Sequence, residues 1–379
     1  MKNYRWISSL FCGIALLLIL YSCGTQNSGS VSETDDVMQE ASLLSISEKE
    51  GYDDVIIKNA EGKVVAHYVL VTQGSTDISN LPEGSTVLKV PLENIALDSE
   101  VYGAAIEELG GEKFIKGIFD PQHVTSPLIQ KGIEEGRIKD LGKPDSPNIE
   151  RILEMQPDAI MVSYYDGMQM QGIDKTGVPI IKMYDLQEDT PLGRAEWLRF
   201  IGRLIGKGEM SDEIYNKVRN NYRDLTKKAA DKKVKPKVLT DAMYEGIWFV
   251  PGGKSYQARL IEDAGGNYFK NKDNSTSSLS LSAEQVLEGG ADADVWLLKV
   301  FGNVPTLQSL ATEDRIYTEF QPYKTGNIYY SDTSTSNLYR EFPFHPDLLL
   351  TDYMVIFDSI TANTDNSIDS LRYFRKIEN

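Results

Sequence analysis

The feature that most constrains this chain is a long helical run, residues 192–232, which has no proline and is flanked on both sides by short helix-then-strand units. Leu198, Ile201, Leu204 and Ile205 fall at the i, i+3, i+4 spacing of one apolar face. Gly206 and Gly208 weaken the helix there. Ser211 is placed to cap a second helix carrying Ile214, Val218, Tyr222 and Leu225. Lys227, Lys228, Lys232 and Lys233 crowd its far end, where cations suit the helix dipole. Arg194, Glu196, Arg199 and Arg203 interrupt the first helix too often for a membrane span. On either side, helix, glycine or proline, and strand follow one another repeatedly. Such a chain folds as α/β: two Rossmann-like lobes with mostly parallel sheets, joined by the helical segment, with a ligand cleft between them.

The two halves also share phrases. Residues 148–162 read NIERILEMQPDAIMV and residues 282–297 read SAEQVLEGGADADVWL. Glu150 aligns with Glu284, Ile152 with Val286, Leu153 with Leu287, Glu154 with Glu288 and Asp158 with Asp292. Short helix–strand units can match by chance in any α/β protein, so the pairing supports two lobes without establishing a duplication.

At the start, Lys2 and Arg5 precede an apolar run at residues 14–20 that is too short to cross a bilayer comfortably. This is the layout of a signal peptide over residues 1–22. Leu20-Tyr21-Ser22-Cys23 looks like a bacterial lipobox, with cleavage before Cys23 and lipid on its sulfur. Several acyl chains there would anchor the protein without a spanning helix. The alternative is a plain signal peptide followed by an incidental cysteine. Residues 23–47, rich in Ser, Thr, Gly and acids, read as a tether. The location implied is the cell envelope, lipid-anchored, facing the periplasm or exposed at the surface.

Residues 48–85 form an N-terminal extension, with a hairpin turning at Asn59-Ala60-Glu61-Gly62. Lobe one spans residues 86–190 and begins with a strand at 86–90. The interlobe segment spans 191–233. Lobe two spans 234–379, and Pro346 opens its terminal helix.

A net charge of −17 argues against nucleic acid as a partner. Both cysteines lie in the first 23 residues, so the folded part has no thiol chemistry. The histidines, His67, His123 and His345, show no zinc-site spacing. Capture of a bare metal ion by His123, His345 and carboxylates stays open as a second reading. No G-x-S-x-G or Cys nucleophile is present, so the chain reads as a non-enzyme, with a surface-anchored hydrolase as a third reading. Gly252-Gly253-Lys254-Ser255 lacks the first glycine of a phosphate loop, because Trp248 stands in its place.

Aromatic residues gather where strands end. They are Phe119, Tyr164 and Tyr165 in lobe one, and Tyr244, Trp248, Tyr339, Phe342 and Phe344 in lobe two, the last three around Arg340. Ligands of open α/β sheets bind beyond the carboxyl ends of the strands. Aromatic faces and a guanidinium suit a large, flat or anionic ligand. The competing reading of each aromatic is core filling. Glu150 and Glu284, at matching places on the two lobes, would make a symmetric docking surface if they face outward. Otherwise they are solvated helix glutamates.

With these residues in hand, the chain resembles the substrate-binding lipoproteins of bacterial ABC importers for metal chelates (ferric siderophores, heme and cobalamin), the class III periplasmic binding proteins. The resemblance rests on Gly142-Lys143-Pro144, Asn148 through Ile152, and Pro157-Asp158. In lobe two it rests on Gly252 through Ser255, Gly265-Gly266-Asn267 and residues 282–287. It covers roughly residues 86–357. It implies two stiff lobes bridged by one long helix, a monomer, no chemistry and no cofactor beyond the transported chelate. It also implies ligand contacts from the strand-end loops at Phe119, Tyr164, Tyr244, Trp248 and Arg340. In cobalamin-binding members, a glutamate from each lobe meets permease arginines, and Glu150 and Glu284 fall in the matching segments. The extension before Thr86 lies outside the common core.

Overall fold

The computed structural model describes residues 36–73, 81–362 and 368–378. The expected signal peptide, Cys23 and the first part of the expected tether lie outside the described residues.

The extension is a four-stranded sheet in the order β1 (Leu44–Lys49), β2 (Tyr52–Lys58), β3 (Val64–Thr72), β4 (Thr86–Val90). β1–β2 and β2–β3 are antiparallel, and β3–β4 is parallel. Strict alternation places Leu44, Ile46, Val55, Ile57, Tyr68, Leu70, Leu88 and Val90 in the core of lobe one. His67 stays in the sheet, bonded to Asp54 at 2.6 Å. Two expectations are corrected here. The strand at 86–90 belongs to this sheet and not to lobe one. Residues 36–47 are packed rather than tethering, because two buried carboxylates hold their backbone. Glu196 accepts the N–H groups of Gln39, Glu40 and Ala41 at 2.7–2.9 Å. Glu188 accepts those of Ser42 and Leu43 at 2.9 and 3.0 Å. Composition cannot reveal partners so far along the chain.

Lobe one runs β5 (Ile95–Leu97), α1 (Glu100–Glu108), β6 (Ile115–Ile118), α2 (Pro127–Glu134), β7 (Lys139–Asp140), a hairpin of β8 (Gly142–Lys143) and β9 (Ser146–Pro147), α3 (Ile149–Met155), β10 (Ala159–Ser163) and β11 (Ile180–Met183). Its sheet is parallel throughout, in the order β11-β10-β5-β6-β7. The strands are short and apolar because helices cover both faces.

The helical segment is an antiparallel pair, α4 (Pro191–Leu204) and α5 (Gly208–Ala230). They meet closely where a Cβ on Gly202 would lie 2.1 Å from Ser211 Oγ. Ser211 therefore sits buried inside α5 and is not its cap; its Oγ donates to Gly208 O at 2.7 Å. α5, roughly 35 Å long, packs Ile214 on the lobe-one core and Tyr222 in the lobe-two core, so it is the bridge. α4 departs from the one-faced helix expected, because every one of its residues is buried. The N-terminal sheet covers its charged face. Arg199 pairs with Asp212 at 2.7 Å and Glu196 at 3.0 Å, and Arg203 with Glu48 and Asp212, each at 3.1 Å.

Lobe two runs β12 (Lys237–Thr240), β13 (Met243–Tyr244), β14 (Ile247–Val250), α6 (Tyr256–Asp263), β15 (Asn267–Tyr268), β16 (Leu279–Leu281), α7 (Ala283–Gly290), β17 (Val295–Val300), α8 (Leu307–Glu313), α9 (Gln321–Thr325), β18 (Ile328–Asp332), α10 (Leu338–Glu341), α11 (Pro346–Ala362) and β19 (Arg375–Lys376). Its main sheet, β15-β12-β17-β18-β19, is parallel except for β19, and β13-β14-β16 form a small antiparallel sheet. Ile152 and Val286 are equivalent buried positions on α3 and α7. The aspartate pairing needs correction: Asp158 N–H bonds Asn94 O, and the residue doing the same before β17 is Asp294, on Lys237 O, rather than Asp292. The extra residues around Gly289-Gly290 shift the alignment. Among the described residues, no helix is long and apolar enough to cross a membrane.

Candidate functional site

The two lobes together line a cavity of about 260 Å³, which lies beyond the carboxyl end of β10 in lobe one. Lobe one contributes Ser163, the last residue of β10, with Ser99, Val101, Tyr102 and Leu186. Lobe two contributes Tyr256 and Gln257 from the first turn of α6, and Tyr339, Phe342 and Pro343 around α10. Arg194, in the first turn of α4, joins the two sides. Local sequence explains the wall on α6. A Cβ on Gly252 would lie 2.4 Å from the carbonyls of Ser275 and Ser277, so glycine lets this turn pass close to that loop. Ser255 then caps α6, accepting from Ala258 N–H at 3.2 Å.

Arg194 is held from both lobes. Its Nε donates to Asp185 Oδ2 at 3.0 Å and its Nη1 to Tyr256 OH at 2.6 Å. Its guanidinium carbon stands 4.8 Å from the Tyr256 ring centre and 5.3 Å from that of Phe342. Tyr102 OH donates to the other Asp185 oxygen at 2.9 Å. Burial pulls the Arg194 pKa down, but Tyr256 and Asp185 outweigh it and the net direction is up. Nearby, Lys299 pairs with Asp241 at 2.9 Å and reaches Gln257 Oε1 at 3.3 Å. There too burial lowers the pKa, and Asp241 with Tyr339 and Tyr353 raises it on balance. Asp98 accepts Ser163 N–H at 2.7 Å, yet burial pushes its carboxyl up to about 7. The cavity therefore offers hydroxyls, aromatic faces and a fixed cation.

The strand-end aromatics divide into wall, rim and core. Tyr339 and Phe342 line the cavity. Tyr165, 55% exposed, and Tyr244, 69% exposed, stand on the outside of strand-end turns. Tyr164 is half-buried between Tyr184, 5.8 Å between ring centres, and the Lys182 ammonium, 4.4 Å from its ring. Phe119 is buried in the core beneath lobe one. Trp248 is fully buried, its Nε1 donating to Thr240 O at 3.0 Å and its ring packed on Trp296, Tyr317 and Phe320. For these last two, core filling is what the structure places. Phe344 likewise enters the lobe-one core.

Arg340 is engaged across the lobe boundary, with its Nη2 on Glu107 Oε2 and its Nε 3.2 Å from Glu100 Oε1. The histidines have separate partners. His123 meets Asp120 at 2.7 Å, and its ring lies 6.3 Å from that of Phe301; His345 meets Glu108 at 2.8 Å. Among the described residues, no group of three or more His, Cys, Asp and Glu is placed to hold a metal ion.

Glu150 and Glu284 are both exposed, and each is the second residue of its helix, α3 capped by Asn148 and α7 by Ser282. The sequence reading missed Arg194, Asp185, Tyr102 and Tyr256. A legible sign existed in part: Asp98, Asp185 and Asp241 each follow within two residues of an apolar strand.

Two α/β lobes, a bridging helix and a cavity lined from both lobes are the architecture of a solute-binding protein. The chain belongs to the periplasmic binding protein family, whose profile matches residues 106–335. That is a family of binding proteins and not of enzymes. The chain is 27% identical over 260 residues to an uncharacterized lipoprotein of Methanocaldococcus jannaschii, covering 66% of this chain and 62% of that one. It thus spans less than two thirds of that relative's length. It is 23% identical over 207 residues to the high-affinity heme uptake system protein IsdE of Staphylococcus aureus, covering 51% of this chain and 65% of IsdE. The fold is similar to an ABC-type Fe3+-hydroxamate transport system structure from Saccharomonospora viridis, with a TM-score of 0.55 and 17% identity over 70% of this chain and 93% of that one.

Proposed function

We propose that this protein is a lipid-anchored solute-binding protein of the cell envelope. It captures a metal chelate, a ferric siderophore or a related ligand such as heme or cobalamin, between its lobes and hands it to an ABC importer. The observation that carries this reading is the cavity lined from both lobes, with Arg194 in its wall fixed by one residue from each side. Tyr339 and Phe342 supply aromatic wall, and Tyr165 and Tyr244 are exposed rings available to a ligand larger than the cavity. Burial of those rings supplies affinity, and the guanidinium supplies orientation. The heme and ferric-hydroxamate names among the similar proteins fit the same cargo class.

In this reading lipid on Cys23 anchors the chain. The extension, the two lobes and the helical segment divide it near residues 90, 190 and 233. Glu150 and Glu284 dock the loaded protein on permease arginines through charge pairing.

The test is a tryptophan-fluorescence titration with hemin, a ferric hydroxamate, cobalamin and free divalent metals, corrected for ligand absorption. Saturable one-to-one quenching by one chelate below about 1 μM is expected. A response to free metal alone would move the site to His123 and His345, and silence across the panel would remove the chelate reading.

A further inference from the structure

The N-terminal sheet lies outside the stretch matched by the family profile, yet its hairpin tip reaches the turn that follows β10. We propose that this sheet is a working part of the cleft: through Asn59 it holds the turn after β10 in the position from which Tyr165 meets cargo. The proposal rests on the reading of the cleft as the cargo site.

Asn59 is itself fixed. It is 8% exposed, an unusual burial for an amide at a hairpin tip. Its backbone N–H donates to Lys63 O, its Oδ1 accepts Lys63 N–H, and its backbone carbonyl accepts Gly62 N–H, each at 2.9 Å. One group remains to it, the side-chain Nδ2, and that donates to Asp166 Oδ2 at 3.0 Å. The Asn59 amide, and after it the Tyr184 hydroxyl, hold the Asp166 carboxyl below the usual carboxylate range. A second tie comes from β3, where Val65 O accepts Lys182 Nζ at 3.2 Å. The same ammonium lies over the Tyr164 ring, and Tyr184 packs on that ring's side. Tyr68 OH, also on β3, donates to Ile180 O and accepts Lys182 N–H, both at 2.9 Å, so β11 is tied to the sheet as well.

Tyr165 thus sits between two residues secured by the extension, while its own ring is 55% exposed. Ser163, just before this turn, lines the cavity. An exposed aromatic on a pinned turn binds without first having to be ordered, and that saving appears as affinity. Asn59 is accordingly a positioning residue and Tyr165 the contact.

The experiment is amide hydrogen exchange, followed by mass spectrometry, on the full chain in detergent, paired with hemin and ferrioxamine titrations. Asn59→Ala is expected to speed exchange across residues 164–172 by roughly tenfold, with α5 and lobe two unchanged. Asp166→Ala cuts the same bond from the other side and is expected to do the same, which guards against a folding defect in the hairpin. Tyr165→Ala and Asn59→Ala should each weaken the chelate that binds by roughly tenfold, and the double variant no further, because Asn59 acts through Tyr165. Unchanged exchange at 164–172 in both single-bond variants overturns the pinning. Independent, additive losses of affinity overturn the link to Tyr165. If the parent chain binds neither probe, the cargo half falls together with the chelate reading, and the exchange data still decide the pinning.

Discussion

Arg340 of lobe two reaches Glu107 of lobe one, and Glu107 in turn accepts the hydroxyl of Ser126, the cap of α2. The neighbouring Glu100, 3.2 Å from Arg340 Nε, accepts Thr125 N–H at 2.8 Å. One guanidinium from α10 therefore ties α1 and the start of α2 to the other lobe. Arg340→Met should leave Glu100 and Glu107, two carboxylates of α1 in lobe one, without the cation that pairs with both. The expected cost is about 1–3 kcal/mol in urea unfolding, below the fully buried range because the pair is partly solvated. A double-mutant cycle with Glu107→Gln should give a coupling above about 0.5 kcal/mol. Simple additivity would show that the two side chains do not work as a pair.

The clamp on the N-terminal strand is a stronger case. Glu196 is fully buried and faces three backbone N–H groups and the Arg199 guanidinium, all donors. Glu196→Gln substitutes a donor NH2 for an acceptor oxygen in the same space and removes the charge opposite Arg199. A loss of about 2–4 kcal/mol is expected, with faster amide exchange over residues 37–49. Wild-type stability with unchanged exchange there would mean that the sheet is held by its apolar face alone.

Asp98 makes a pH prediction. Its carboxyl is pushed up to about 7 by burial, against the help of the Ser163 N–H and hydroxyl. The folded state therefore holds a proton that the unfolded state releases near pH 4. Between about pH 4 and pH 7 the folded chain binds more protons, so this group's contribution to stability falls as pH rises and reaches its lowest value above about 7. Asp98→Asn should flatten that part of the profile and stabilise the protein at neutral pH, by an amount on the order of a few kcal/mol. Urea unfolding at a series of pH values reads it, and an unchanged slope across the window would refute it.

How much of this was legible depended on whether a residue's partner lies nearby in sequence. The matched phrases disclosed α3 and α7, and Pro346 disclosed the start of α11, because these signals act within one turn. Glu150 and Glu284 stood out for that reason, at matching places in the two phrases. Arg194 was legible only as a charge that ruled out a membrane span, since its partners Asp185 and Tyr256 belong to different lobes. Trp248 looked like cleft because it stands near a strand end. Its indole points instead into the three-ring cluster of Trp296, Tyr317 and Phe320, a choice made by residues up to 72 positions away and invisible in local pattern.

The docking assignment for Glu150 and Glu284 can be separated from cargo binding. Both residues are exposed, and neither lines the cavity. Each occupies the second position of a capped helix, where the macrodipole favours a carboxylate, so reversal to arginine costs only about 0.3–1 kcal/mol per helix. The fold should survive the double reversal Glu150→Arg with Glu284→Arg, and melting by circular dichroism checks that first. Cargo affinity is expected to stay within about twofold, because no cavity contact changes. Uptake by cells that depend on this protein is expected to stop, since two arginines would face the permease's own cations and each like-charge contact costs several kcal/mol. Either single reversal should give an intermediate rate, as half of a two-point contact remains. Normal uptake by the double variant, with binding intact, would remove both glutamates from the interface and send the search to other exposed surfaces of the two lobes.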